Sequence, residues 1–313
     1  RVGRAEAGAV GGDNMMGGSM RVRPAVVVFS ALVLSLGRSL APSTIRAAAP
    51  LSTPQSTSRP PWTSTIASDG AALHYMDFYR HQEEILVGKL GATPLPLKDS
   101  LSGAVNHGKE ARIASACYET DVFRKVRMTY FDAGNKVQVF NSLWYPRLEY
   151  DAPVLGVDLL CFGKKKILAV IDCQPLVDRE NSEYHAEFSQ PFLRVKEQFP
   201  SLCGKMSNRF YDENQFFSDG MLFGRFEDTS PIASEVLPAF QEYLQVYVDL
   251  VKDVPRDTTD KATARVLAQQ AAYDQYSAER DPAHALFVSY FGEEWADEYM
   301  SDFLFELSTP PEH

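Results

Sequence analysis

Two apolar runs, joined by a glycine and three consecutive lysines, make up the segment LGVDLLCFGKKKILAVIDCQPL, residues 155–176. Such a pair reads as a β-hairpin closed by a polar turn. In its first arm, residues 154–162, one set of alternate positions reads Val, Gly, Asp, Leu, Phe and the other Leu, Val, Leu, Cys. Both faces are apolar, so the strand must be covered on both sides. A sheet with one face in water is thereby excluded. The same arm carries a carboxylate, Asp158, at its centre. Burying that charge is costly unless the group is paired, or stays protonated through a raised pKa.

The rest of the chain supplies what such a sheet needs. The segment LHYMDFYRHQEEILVGKL has helical spacing and Gly91 just past its end. A block of strand-like segments follows: EARIASACYE, FRKVRMTYF, KVQVFNSLW, VLGVDLLCF, ILAVIDC and MLFGRFE. Helical patterns lie at YHAEFSQPFLRVKEQF, IASEVLPAFQEYLQVYVDLVKDV, KATARVLAQQAAYDQYSAER and EEWADEYMSDFLFEL. Strands that follow one another, flanked by helices, argue for an α+β fold. The expected architecture is a three-layer α/β/α sandwich, with a central, mostly antiparallel sheet covered by helices on both faces. No linker-like composition and no repeat interrupts residues 69–313, which read as a single domain.

Residues 1–68 are of another kind. Met16 and Met20 are the candidate starts, and from Met20 two arginines precede an apolar core, Ala25 to Gly37. That core is too short to span a bilayer and has the layout of a signal peptide. The stretch after it is rich in Ser, Thr, Ala and Pro, and no Asp or Glu occurs between Arg21 and Ser68. A signal peptide followed by a plastid transit-like, disordered segment fits this composition; a plain disordered tail behind a secretory signal fits it too. The segment holds seven basic and two acidic residues, which leaves 24 and 39 for the body, a net of −15. Such a body repels nucleic acid and anionic membranes. No later stretch is apolar and long enough to cross a bilayer. Cys117, Cys161, Cys173 and Cys203 have no metal-ligand spacing, and a reducing compartment suits them. The expected location is the plastid stroma.

Few residues stand out as chemistry. In KVQVFNSLWYP, Asn141 is the one polar group on an apolar face, and Asp158 holds a similar position on the next strand. An amide beside a desolvated acid could serve a pocket in which the acid is a proton donor. Equally, Asp158 could cap a loop or pair with a buried arginine, and Asn141 could tie down a bulge. Asp172 also lies in a strand, at an end where turn or cap duty is common, and reads as structural. Asp281, before Pro282, has the pattern of an N-cap followed by proline at the first helical position. The six histidines show no metal spacing, and no dinucleotide, P-loop or nucleophile-elbow motif occurs. Lys164, Lys165 and Lys166 form a basic turn, either simply solvated or a docking point for an acidic partner.

VFNSLWYP, LGVDLLCFGKKKILAVIDCQPL, GKMSNRFYDENQFFSDGMLFGRF, YSAERDPAHALF and YFGEEWADEYMSDFLFEL together resemble the ferredoxin-dependent bilin reductases from about residue 72 onward. The resemblance implies the sandwich fold, a linear tetrapyrrole between sheet and C-terminal helices, no bound cofactor or metal, and electrons from reduced [2Fe-2S] ferredoxin. It implies that Asp158 is the proton donor on the sheet side and Asp281 the one on the helical side. Asn141 matches the position that is Asn in phycoerythrobilin-forming members and His in phycocyanobilin-forming ones. Arg209 is then a candidate contact to a bilin propionate, and Lys164, Lys165 and Lys166 would meet ferredoxin. An upstream bilin reductase and a phycobiliprotein lyase are further implied partners. Asn141, the LCFGKKK turn and Pro282 argue against the phycocyanobilin branch. The wording is nearest to the branch that reduces the A ring of 15,16-dihydrobiliverdin to phycoerythrobilin. Enzymes that make 15,16-dihydrobiliverdin from biliverdin, and phytochromobilin synthases, share the two acids. A bilin carrier without turnover is the non-enzymatic alternative.

Overall fold

The structure is a computed structural model that describes residues 70–177, 181–206, 211–212 and 215–308. The expected targeting segment, 1–68, lies outside the described residues. The strand block forms one sheet. Its long strands are β3 (Ala111–Glu119), β4 (Phe123–Asp132), β5 (Val137–Pro146), β6 (Val154–Phe162) and β7 (Lys166–Gln174), which meander in sequence order. At one edge sit two short strands, β1 (Thr93–Pro94) and β2 (Gly103–Asn106), both paired to β3; at the other sits β8 (Leu222–Phe226). Every ladder is antiparallel.

Alternation along these strands feeds two cores. On one face Phe140, Trp144, Leu155, Val157 and Leu159 pack against α1 (Met76–Glu83), α3 (Ser182–Gln198) and α4 (Leu237–Asp253). The other face carries Phe131, Val137, Leu160 and Phe162, which meet α6 (Ala283–Phe291), α7 (Glu293–Tyr299) and the turn after it. Here α2 is the single turn Asp99–Ser102, and α5 is the long helix Asp260–Arg280 that crosses the end of β5 through Tyr273. Helices on both faces are what the two-sided apolar strand requires. Cys117, Cys161 and Cys173 are buried free thiols within these layers, and Cys203 is exposed.

Several expected helices are modified at their ends. The first is regular only over Met76–Glu83 and widens into a π-helical turn over Glu84–Lys89. Ile232–Val236 and Met300–Leu304 are likewise π-helical. Apolar spacing alone does not separate a wide turn from a regular one.

One amide of α1 bonds the sheet twice. Gln82 is fully buried, and its Oε1 accepts from Ser142 Oγ (2.8 Å) and Trp144 Nε1 (2.7 Å). Replacing it strands two buried donors, each costing about 1–3 kcal/mol. Gln82→Leu is expected to lower unfolding stability by roughly 2–4 kcal/mol, read as an earlier midpoint in urea with an unchanged slope.

Candidate active site

The sheet face toward α5 carries an unbroken cross-strand row. Thr129 pairs with Asn141, Asn141 with Asp158, Asp158 with Val170 and Val170 with Phe223. Directly paired residues share a face with their side chains about 5 Å apart. The two polar residues picked from the strand pattern are therefore immediate neighbours. Over them lies a cleft of about 950 Å³, roofed by Tyr273, Tyr276 and Ser277 of α5 and by Asp281 just beyond its end. Phe216, in the segment before β8, packs its ring 5.5 Å from Tyr273 and 5.2 Å from Tyr276. Its φ of 62° is a left-handed conformation that costs a non-glycine residue about 1 kcal/mol or more. Gly156, on the Asp158 side of β6, leaves needed room. A Cβ there would lie 2.4 Å from Gln174 Oε1, which accepts from Tyr273 OH at 2.6 Å.

Hydrogen bonds orient the centre. Arg127 of β4 is buried, donating from Nε to the Leu304 carbonyl (3.1 Å) and from Nη1 to Asn141 Oδ1 (2.5 Å). Because a guanidinium only donates, the oxygen of the Asn141 amide must face Arg127. Its Nδ2 then donates to Asp158 Oδ1 at 3.3 Å. Among the described residues no hydrogen bond is made to the second Asp158 oxygen, which can carry a proton.

Burial pushes the Asp158 pKa up to about 7, and the neighbouring Asp281 carboxylate adds to the rise; the Asn141 bond and Arg127 oppose it. Burial likewise raises Asp281, against an N–H from Ala283, Arg127 and His284. Both acids are half-buried: what surface they keep opens onto the cleft. The pair can hold a proton at neutral pH and release it to a ligand that turns basic.

Asp281 caps a helix, as its local pattern suggests, and also lies at the cleft. Its Oδ1 accepts from the Ala283 N–H (2.8 Å), capping the start of α6, while it lines the cleft opposite Asp158. Asp172 is structural and in a strand, as its pattern suggests, but its partner is not a turn. It stays within β7, buried, and accepts from Ser218 N (3.0 Å) and Ser218 Oγ (2.5 Å), so it anchors a loop at the cleft rather than capping a turn. Burial also raises its pKa to about 7, despite the two Ser218 bonds. Lys164, Lys165 and Lys166 are exposed around the β6–β7 turn; Lys165 and Lys166 line the outer end of the cleft with Arg225 of β8, whereas Lys164 lies off it. Arg209 lies outside the described residues. Sequence reasoning missed Arg127, although a basic residue on one face of FRKVRMTYF, in a sheet covered on both sides, is a signal. Among the described residues no group of His, Cys, Asp or Glu is placed to hold a metal ion, and no helix is long and apolar enough to cross a membrane.

A family model described as ferredoxin-dependent bilin reductase matches residues 81–306. A protein of Nostoc punctiforme is 42% identical over 200 residues, covering 64% of this chain and 81% of its own. One of Gloeobacter violaceus is 39% identical over 238 residues, covering 75% and 96%. Both are named 15,16-dihydrobiliverdin:ferredoxin oxidoreductase. The crystal structure of phytochromobilin synthase from tomato, in complex with biliverdin, has the same fold: a TM-score of 0.67 at 22% identity, covering 74% of this chain and 83% of that one.

The raised pKa of Asp158 has a thermodynamic consequence. The native state holds this proton more tightly than the unfolded chain, whose aspartates titrate near 3.8. Stability is therefore lost as pH rises from about 4 to about 7 and then levels off. Asp158→Asn removes that dependence, so its stability relative to wild type should grow by roughly 4 kcal/mol between pH 4 and pH 8. Chemical unfolding at the two pH values measures this; parallel behaviour of the two proteins would contradict the assignment.

Proposed function

The chain belongs to the ferredoxin-dependent bilin reductases, and from that membership we propose that it reduces biliverdin to 15,16-dihydrobiliverdin. The reading rests on one observation above others: two half-buried carboxyls face each other across a cleft, one of them with a pKa near neutrality. The cleft, about 950 Å³, lies within the roughly 300–1,000 Å³ usual for sites that enclose a small molecule.

The choice of step departs from what the sequence motifs implied. An oxidoreductase name of this form puts the reduced compound first and the electron acceptor second. The name shared by the relatives thus favours 15,16-dihydrobiliverdin as product. In that reaction the C15=C16 double bond becomes a single bond, taking up two electrons and two protons. The electrons come singly from reduced [2Fe-2S] ferredoxin, a partner rather than a resident group. Each electron raises the basicity of the bilin. Neutral Asp158 then supplies one proton and Asp281 the other, while Asn141 keeps its bond to the carboxylate that Asp158 becomes. Apolar walls exclude water, and the cations at the outer end, Lys165, Lys166 and Arg225, suit the two propionates of a bilin. Lys164, off the cleft, remains for an acidic ferredoxin, which the body's net charge of −15 would otherwise repel. A plastid location belongs to the same reading and rests on the acid-free segment before residue 69.

A second reading, A-ring reduction of 15,16-dihydrobiliverdin to phycoerythrobilin, keeps support from the sequence motifs, whose wording is nearest to that branch. Incubation with each bilin and a reduced ferredoxin system separates the two. The first reading expects biliverdin to be consumed and 15,16-dihydrobiliverdin to accumulate. Turnover of 15,16-dihydrobiliverdin alone would favour the second, and binding without turnover would favour a carrier. Asp158→Asn is expected to lower kcat by about 100-fold or more with bilin binding retained; wild-type turnover by that variant rules out its role.

A further inference from the structure

Arg127 is an arginine with 2% exposure in the middle of a sheet, a costly place for a fixed charge unless it has a task. Among the described residues it forms no direct ion pair with a carboxylate. Its bonds go to a backbone carbonyl and an amide oxygen, and its guanidinium lies 5.6 Å from the ring centre of Phe305. These three contacts come from two directions, the β5 neighbour and the turn after α7. They hold the group rigidly at the wall of the cleft.

We propose that Arg127 is a positioning residue for proton transfer: it sets the amide of Asn141 so that Nδ2 faces Asp158, and its charge steadies the carboxylate that Asp158 becomes once its proton has gone. This deepens the reading of Asp158 as a donor and rests on it. Without Arg127 the Asn141 amide could turn either way, and its oxygen would then meet an Asp158 oxygen. Lysine is no substitute, because one ammonium lacks the planar fork that reaches Leu304 O and Asn141 Oδ1 together. Among the described residues, the groups that face Asp158 are Arg127, Asn141, Asp281 at the end of α5 and Tyr211 from the segment before β8, while Tyr75 interacts with it through the sheet. Arg127 is the one fixed cation in that set, so it alone favours the ionised acid by charge.

The test needs a readout that simple destabilisation does not move. In the protein without bilin, the Asp158 carboxyl is titrated by ¹³C NMR in wild type, Arg127→Met and Arg127→Lys. The midpoint should rise by about one unit in Arg127→Met, a tenfold tighter hold on the proton, and by less in Arg127→Lys. With bilin and ferredoxin, the alkaline limb of the single-turnover rate should move up by the same amount, and Asp158→Asn should abolish that movement. An unchanged midpoint in both arginine variants overturns the proposal, whatever the activity. A shifted midpoint beside an unmoved rate profile upholds the positioning and instead refutes Asp158 as the donor. Should Arg127→Met fail to fold, Arg127→Lys and Asn141→Leu carry the same comparison, each expected to raise the midpoint.

Discussion

Water leaves the centre of this sheet, and everything at the site follows from that. A carboxylate in bulk water is stabilised by solvent; at the centre of a strand covered on both sides it must find other support or keep its proton. Asp158 receives one amide N–H and a cation at second hand, too little to restore its ordinary acidity. The opposing Asp281 adds charge of the same sign to the same cavity. A sheet open to water on one face could not have produced a neutral acid here.

The same two-layer demand made much of the fold readable. β6 occupies the residues that alternation assigned to it, Val154–Phe162, and its register with β5 sets Asn141 against Asp158. Period-two patterning is a strong signal when both faces are apolar, because one polar residue then stands out. Asp281 was harder. Its local pattern is that of a cap, and it does cap α6; only the path of α5 across the sheet brings it to the cleft. Arg127 was hidden by its neighbours, since Arg124, Lys125 and Arg127 together look like an edge in water. Their burial depends on α5 and the segment after α7, which supply Gln270, Glu306, Phe303 O and Leu304 O as partners. The short strands β1 and β2 were not legible, because two and four residues carry no period.

Rigid elements hold most of the site. Asn141, Asp158 and Arg127 stand on central strands of the sheet, where rotamers are fixed by packing on both sides. Asp281 stands at a junction of two helices, with its backbone N–H bonded to Ser277 O. This division gives one acid a fixed place and the other a place that follows any movement of α5 against the sheet. A family that reduces different bonds of one pigment class can keep such a frame and vary which carbon lies nearest each acid. The relatives' name and the sequence motifs point to adjacent steps of the same chemistry.

The direct measurement is the titration of the Asp158 carboxyl in the folded wild-type protein, by infrared or ¹³C NMR with Asp158→Asn to identify the signal. The account predicts a midpoint near 7, with the protonated form still populated at neutral pH. A midpoint near the ordinary aspartate value of about 4 would mean that the acid is ionised in the cleft, and a resting proton donor at this position would be contradicted.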